Sequence, residues 1–101
     1  MAYDAAQVIA TLPADMRVDL TNEANQTAMV GRASVSASVV AATYGDEQDY
    51  QLSYWFDVRD FASPILPRQR VTVGGVQYYV LAVRTFPGNL RRLDLGGKYG
   101  R

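Results

Sequence analysis

Polar and apolar residues alternate with period two over much of the chain, the pattern of strands with one buried face. Residues 50–59 show it best. Tyr50, Leu52, Tyr54, Phe56 and Val58 share one face, and Gln51, Ser53, Asp57 and Arg59 share the other, with Trp55 on the polar side. Met16, Val18 and Leu20 alternate with Arg17 and Asp19. After a polar loop at residues 21–27, Ala33, Val35, Ala37 and Val39 alternate with Ser34, Ser36 and Ser38. From Val40 to Tyr44 both faces turn apolar, which predicts a bulge or a second covered surface before a turn at residues 44–49. Arg70–Val73 and Val76–Val83 flank Gly74-Gly75, a pair suited to the positive φ angles of a two-residue hairpin turn. Beyond that turn, Val76, Tyr78, Val80 and Ala82 line one face and Tyr79, Leu81 and Val83 the other, which predicts a strand covered on both sides. Phe86-Pro87-Gly88-Asn89 then turns the chain into a last strand, Leu90–Leu95.

One segment departs from this period. Ala5, Val8, Ile9 and Leu12 recur at helical spacing, Asp4 stands where an N-cap belongs, and Gln7 follows three residues later as in a capping box. Pro13 ends the helix. Two turns do not persist alone in water, so this helix is expected to lie on the barrel or on a neighbouring subunit. The expected fold is all-β: a small antiparallel β-barrel or sandwich with a short N-terminal helix. It forms one domain, with a helical segment at 1–13, the barrel at 16–95 and a mobile tail at 96–101.

Composition narrows the function. The 101 residues suffice for one domain, and 49% hydrophobic with 20% charged residues is ordinary for a globular chain. The longest aliphatic run, Val39–Ala42, is far short of the ~20 residues that span a bilayer. No basic-then-apolar stretch marks a secretory signal, so the Asn25-Gln26-Thr27 sequon is expected to be unused. The chain holds no Cys and no His. Disulfides, thiolate nucleophiles, Cys/His zinc and every Ser-His or Cys-His relay are thereby excluded. No enzyme activity, cofactor or metal is expected.

Charge is balanced overall but divided along the chain. Residues 1–49 carry two arginines against seven carboxylates, and residues 50–101 carry eight cations against three carboxylates. If the halves stay apart in space, the subunit has an acidic and a basic side, which suits head-to-tail stacking; if they intermix, it does not.

Three groups invite a chemical reading. Asp46, Glu47 and Asp49 offer oxygen ligands, but their spacing matches no calcium loop and a solvated acidic turn is the better account. Gly96-Gly97-Lys98 lacks the rest of a phosphate-loop pattern. The third group is Arg84, Arg91, Arg92, Lys98 and Arg101 in the closing strands, where planar guanidiniums suit phosphates or interfacial carboxylates. With nearby tyrosines this allows a single-stranded nucleic-acid face, against which stands a pI of about 6.1. Trp55 lies either under the N-terminal helix or against another subunit. Ile65 and Leu66, bracketed by Pro64 and Pro67, either plug one barrel end or face a partner. The candidate contact residues are Trp55, Phe61, Ile65, Leu66, Arg84, Arg91, Arg92 and Tyr99.

From residue 50 the parts follow in a set order. An aromatic strand ends in Val58-Arg59-Asp60-Phe61 and leads to a proline loop. Then come a basic residue with Val71-Thr72-Val73, a tight turn, Tyr78 or Tyr79 with Val80-Leu81-Ala82-Val83, a turn, and Leu90-Arg91-Arg92-Leu93-Asp94-Leu95. This order resembles the small head–tail joining proteins of tailed double-stranded DNA bacteriophages, also called head-completion or stopper proteins. The resemblance covers the second half of the chain; residues 1–49 match by length and strand order, and Gly74 replaces the acidic residue often found in the family's hairpin turn. It implies a barrel subunit that forms a hexameric or dodecameric ring in the virion neck, assembled in the host cytoplasm. The implied partners are other copies, portal and adaptor proteins, and a tail terminator or tail tube protein. Packaged DNA would pass through the channel, and no membrane is involved. The alternatives are a tail terminator or other tail ring and, from another class, a barrel that binds single-stranded nucleic acid.

Overall fold

A computed structural model describes residues 4–33 and 52–98. They form a closed barrel of six antiparallel strands with one short helix outside it. In chain order the elements are α1 (Ala5–Ala10), β1 (Arg17–Thr21), β2 (Thr27–Arg32), β3 (Leu52–Asp57), β4 (Arg70–Val73), β5 (Val76–Thr85) and β6 (Leu90–Lys98). Around the barrel the order is β1-β2-β3-β6-β5-β4, and β4 returns to β1. This is the small all-β barrel expected from the alternating pattern.

Leu20, Val30, Tyr54, Phe56, Val71, Val73, Val80, Leu93 and Leu95 fill the interior. Gly74 and Gly75 have φ of 58° and 83°, the two positive angles that let β4 and β5 join through a tight turn. Because β3 pairs with β6 and not with β4, residues 58–69 must cross one end of the barrel. Phe61 and Ile65 on this crossover are buried in the core, with Phe61 edge-on to Phe56 at 5.8 Å. They close that end. Closure of the barrel itself rests on two residue pairs, Leu20 with Val73 and Thr21 with Thr72.

Helix α1 lies against β3 and β2. Asp4 caps it by accepting the Ala6 N–H at 3.1 Å. A reciprocal bond from Gln7, expected for a capping box, is absent among the described residues. Ala5 and Ile9 are buried. A Cβ on Gly31 of β2 would overlap the Leu12 side chain and touch Ile9, so a bare backbone there is what lets this segment approach.

The structure corrects the sequence reading at three places. Strand β2 begins at Thr27, inside the presumed loop, and Gly31 and Arg32 interrupt the apolar run that would have announced it. Strand β6 continues to Lys98, so Gly96 and Gly97 are buried strand residues and not part of a mobile tail. Gly96 faces the Tyr79 ring, which a Cβ would strike. Strand β5 is half-covered, with Val80 its one buried residue. Tyr78 and Val80 both pack on the core, but the register shift between Val80 and Ala82 reverses the alternation, so Val83 packs on the core and Ala82 pairs across to Asp94. The expected strand at 33–44 beyond Ala33 and the turn at 44–49 fall outside the described residues.

Candidate functional site

Two surfaces bring together the residues singled out by sequence. The first is the outer face of β3, β6 and β5. Leu93 and Leu95 point inward, so Arg92 and Asp94 point outward. Trp55 pairs across to Arg92, and Ser53 to Asp94. Trp55 is half-buried and packs edge-on to Phe86, with ring centroids 5.2 Å apart. It stands opposite Gly31 in the β2–β3 ladder, on the strand that α1 packs against.

Asp94 is 1% exposed despite its outward direction. Its Oδ1 accepts the Ser53 hydroxyl at 2.6 Å and Arg92 Nε at 3.0 Å, and its Oδ2 accepts Arg92 Nη2 at 3.3 Å. Arg84 Nε lies 3.6 Å from the same carboxylate. Arg91 donates from Nη1 to the carbonyls of Phe86, Gly88 and Leu90, tying down the β5–β6 turn. The three arginines expected to meet phosphate or a partner carboxylate are therefore engaged within the chain.

The second surface is the crossover. Phe61 and Ile65, expected as contact residues, are core residues here because a chain that spans a barrel end must fill it with apolar side chains. Leu66 is the opposite case, 51% exposed. Leu66 and Gln69 close a β-turn: the Gln69 N–H donates to the Leu66 carbonyl at 3.2 Å, and the Leu66 N–H donates to Gln69 Oε1 at 2.9 Å. Pro67 and Arg68 fill its centre, with Arg68 at φ 74°. The Arg68 N–H donates to the Val80 carbonyl at 2.8 Å, and the Val80 N–H to the Gln69 carbonyl at 2.9 Å. The Ser63 N–H donates to Gln26 Oε1 at 3.0 Å and Asn22 Nδ2 to the Ser63 carbonyl at 3.3 Å, fixing the crossover to the β1–β2 turn.

A polar latch sits at the same end. Asp57 accepts Arg59 Nη2 at 2.7 Å, the Arg59 backbone N–H at 2.9 Å and Asn89 Nδ2 at 3.1 Å. Asn89 Oδ1 accepts the Ala5 N–H at 3.0 Å, which joins the first turn of α1 to the barrel. The side-chain bond from Arg59 holds the Asp57 carboxyl below its ordinary range, against the opposing effect of burial. Burial, and next the Asp57 charge, push Asp60 up.

A carboxyl with a depressed folded pKa adds stability above its unfolded pKa and loses it as pH falls through the folded value. Asp57→Asn is therefore expected to be less stable than the parent at neutral pH. The gap should narrow as pH drops from about 5 to about 2. Thermal unfolding of both proteins along this range checks it. Asp60 contributes the opposite slope but is present in both. A gap of constant size would assign the role of Asp57 to its shape and not its charge.

A shallow polar depression at the β1–β4 seam is framed by Asn22, Glu23, Arg70 and Gln77, with Glu23 and Arg70 3.9 Å apart. Asp46, Glu47, Asp49 and Tyr99 fall outside the described residues. No described helix is long and apolar enough to cross a membrane. No family model matches the chain, and no curated protein or solved structure is similar to it at a significant level.

Three participants escape the sequence pattern. Phe86 and Asn89 read as turn residues in Phe86-Pro87-Gly88-Asn89, although an Asn beside a strand end is a familiar backbone-bonding position. Met29, 48% exposed on β2, carries no sequence signal because the alternation does not announce its strand.

Proposed function

We propose that the protein is a structural ring component of a phage neck, closing the portal and adaptor after DNA packaging and offering the tail a docking surface. The observation that supports it is the order of parts from residue 50 on. Those parts fold as one continuous unit: β3, a 3-10 turn at Val58–Asp60, the crossover, β4, the glycine turn, β5 and β6. Around that unit the barrel has paired strands at every position, and its surface offers fixed contact features, Leu66 among them. Such a subunit acts by fit. Its interior is filled, so any DNA channel must lie between subunits in a ring.

The test is assembly. Purified protein mixed with a phage portal–adaptor complex is expected to co-migrate with it in a sedimentation gradient and to appear as a ring by electron microscopy. Absence of co-migration overturns the reading. Retention on separated tails, and not on heads, would move the ring to the tail side of the joint.

A further inference from the structure

We infer that copies of this chain join head to tail, with the Leu66–Arg68 turn of one copy seated on the Met29–Asp19 patch of the next. The inference deepens the ring reading and rests on it for the closure of the contact into a ring.

Leu66 and Met29 are the two most exposed large apolar side chains among the described residues, at 51% and 48%. Single exposed apolar residues are ordinary on a protein surface. What sets this pair apart is how each is held and what charge accompanies it. Leu66 sits on a turn fixed by backbone and side-chain hydrogen bonds on both flanks, so it is presented rigidly. Arg68 occupies the turn position that favours glycine, with φ 74°. A glycine there would relieve the strain, and the arginine places a cation two residues from Leu66.

Met29 lies opposite Asp19 in the β1–β2 ladder. The Asn22 N–H to Gln26 carbonyl bond sets the alternation that makes this a non-hydrogen-bonded pair, in which facing side chains approach most closely. Both residues are exposed. Among the described residues, Asp19 and Arg68 form no ion pair. Arg17, on the same outer face of β1, is half-buried. One patch is therefore apolar with a free cation, and the other is apolar with a free carboxylate. This is the acidic first half and basic second half of the sequence reappearing as two contact patches.

The patches are distinct, so the contact is heterologous and propagates from copy to copy. Strand β2, carrying Met29, and the start of β4, below Leu66, both neighbour β1.

The chain has no cysteine, which makes cross-linking clean. Met29→Cys and Leu66→Cys proteins, each with its own mass tag, are mixed and oxidised. The 29–66 heterodimer is expected to exceed either homodimer by about tenfold, the scale of one anchored contact with a charge pair. Arg68→Glu in the Leu66→Cys protein should remove the preference, and Asp19→Arg in its partner should restore it. Arg68→Gly should remove it while leaving the melting temperature equal or higher, which a merely structural residue would not do. Dimers in statistical proportion, or no dimer at the highest soluble concentration, overturn the inference. Heterodimer formation without portal co-migration would leave the subunit contact standing and the neck assignment refuted; the reverse result would keep the neck and move the contact.

Discussion

Asp94→Ala is expected to cost about 3–5 kcal/mol, since it removes one partner of a buried ion pair and leaves the other uncompensated. The carboxylate is 1% exposed, and it satisfies the Ser53 hydroxyl and the Arg92 guanidinium together. At the size of this domain, each kcal/mol moves the melting temperature by about 4–8 °C. The variant should therefore melt at least 12 °C below the parent, roughly the product of those two lower bounds. The interaction itself is a different quantity from the cost of breaking it. Asp94→Ala combined with Arg92→Met removes both charges, and the double variant is expected to recover much of the loss. Thermal unfolding of the two singles and the double separates the outcomes. A double variant as damaged as the sum of its parts would mean that Arg92 and Asp94 act independently.

The neighbouring position gives the second large effect by another mechanism. Leu93 is fully buried and points into the barrel between Tyr54 on β3 and Val83 on β5, its ladder partners. Leu93→Ala should lose about 2–5 kcal/mol, the transfer free energy of the side chain plus the cavity left behind. Here no second substitution on the outer face should rescue stability. Urea unfolding with an unchanged slope and a lower midpoint is the expected form. A loss below 1 kcal/mol would mean that the barrel collapses around the vacancy, about what a flexible surface site shows.

These adjacent residues also mark what was legible in the sequence. Strand β3 was legible because Leu52, Tyr54 and Phe56 keep strict alternation, and the β4–β5 turn because two consecutive glycines admit few other conformations. The inward direction of Leu93 and Leu95 could be read the same way. The burial of Asp94 could not. It depends on Ser53, forty-one residues away in the chain, arriving opposite it when β3 pairs with β6. Alternation is local, and that pairing is not.

The contact residues divide along the same line. Phe61 and Ile65 carry no periodicity that separates a plug from an exposed anchor; the direction of the crossover decides it, and that follows from strand order. Leu66, one residue on, points outward because the turn closed by Gln69 reverses the chain there. Arg84, Arg91 and Arg92 read as a free basic cluster until register places Asp94 and the turn carbonyls among them. The Tyr79–Gly96 contact was invisible for a further reason. A glycine beside a tyrosine ring looks, in one dimension, like the start of a loose end.

The two-pair seam between β1 and β4 has a consequence for how the molecule forms. Strands β4, β5 and β6 are consecutive and can zip in sequence through short turns, and β3 then adds to the exposed side of β6 across the crossover. Joining β1 to β4 closes a loop of about fifty residues, the longest closure in the barrel, and is rewarded by only two ladder pairs, as few as join β2 to β3 across a shorter loop. The seam is thus the last part of the barrel to form and the first to open. In hydrogen exchange, the amides that join β1 to β4 should lose protection well before those of the β5–β6 hairpin.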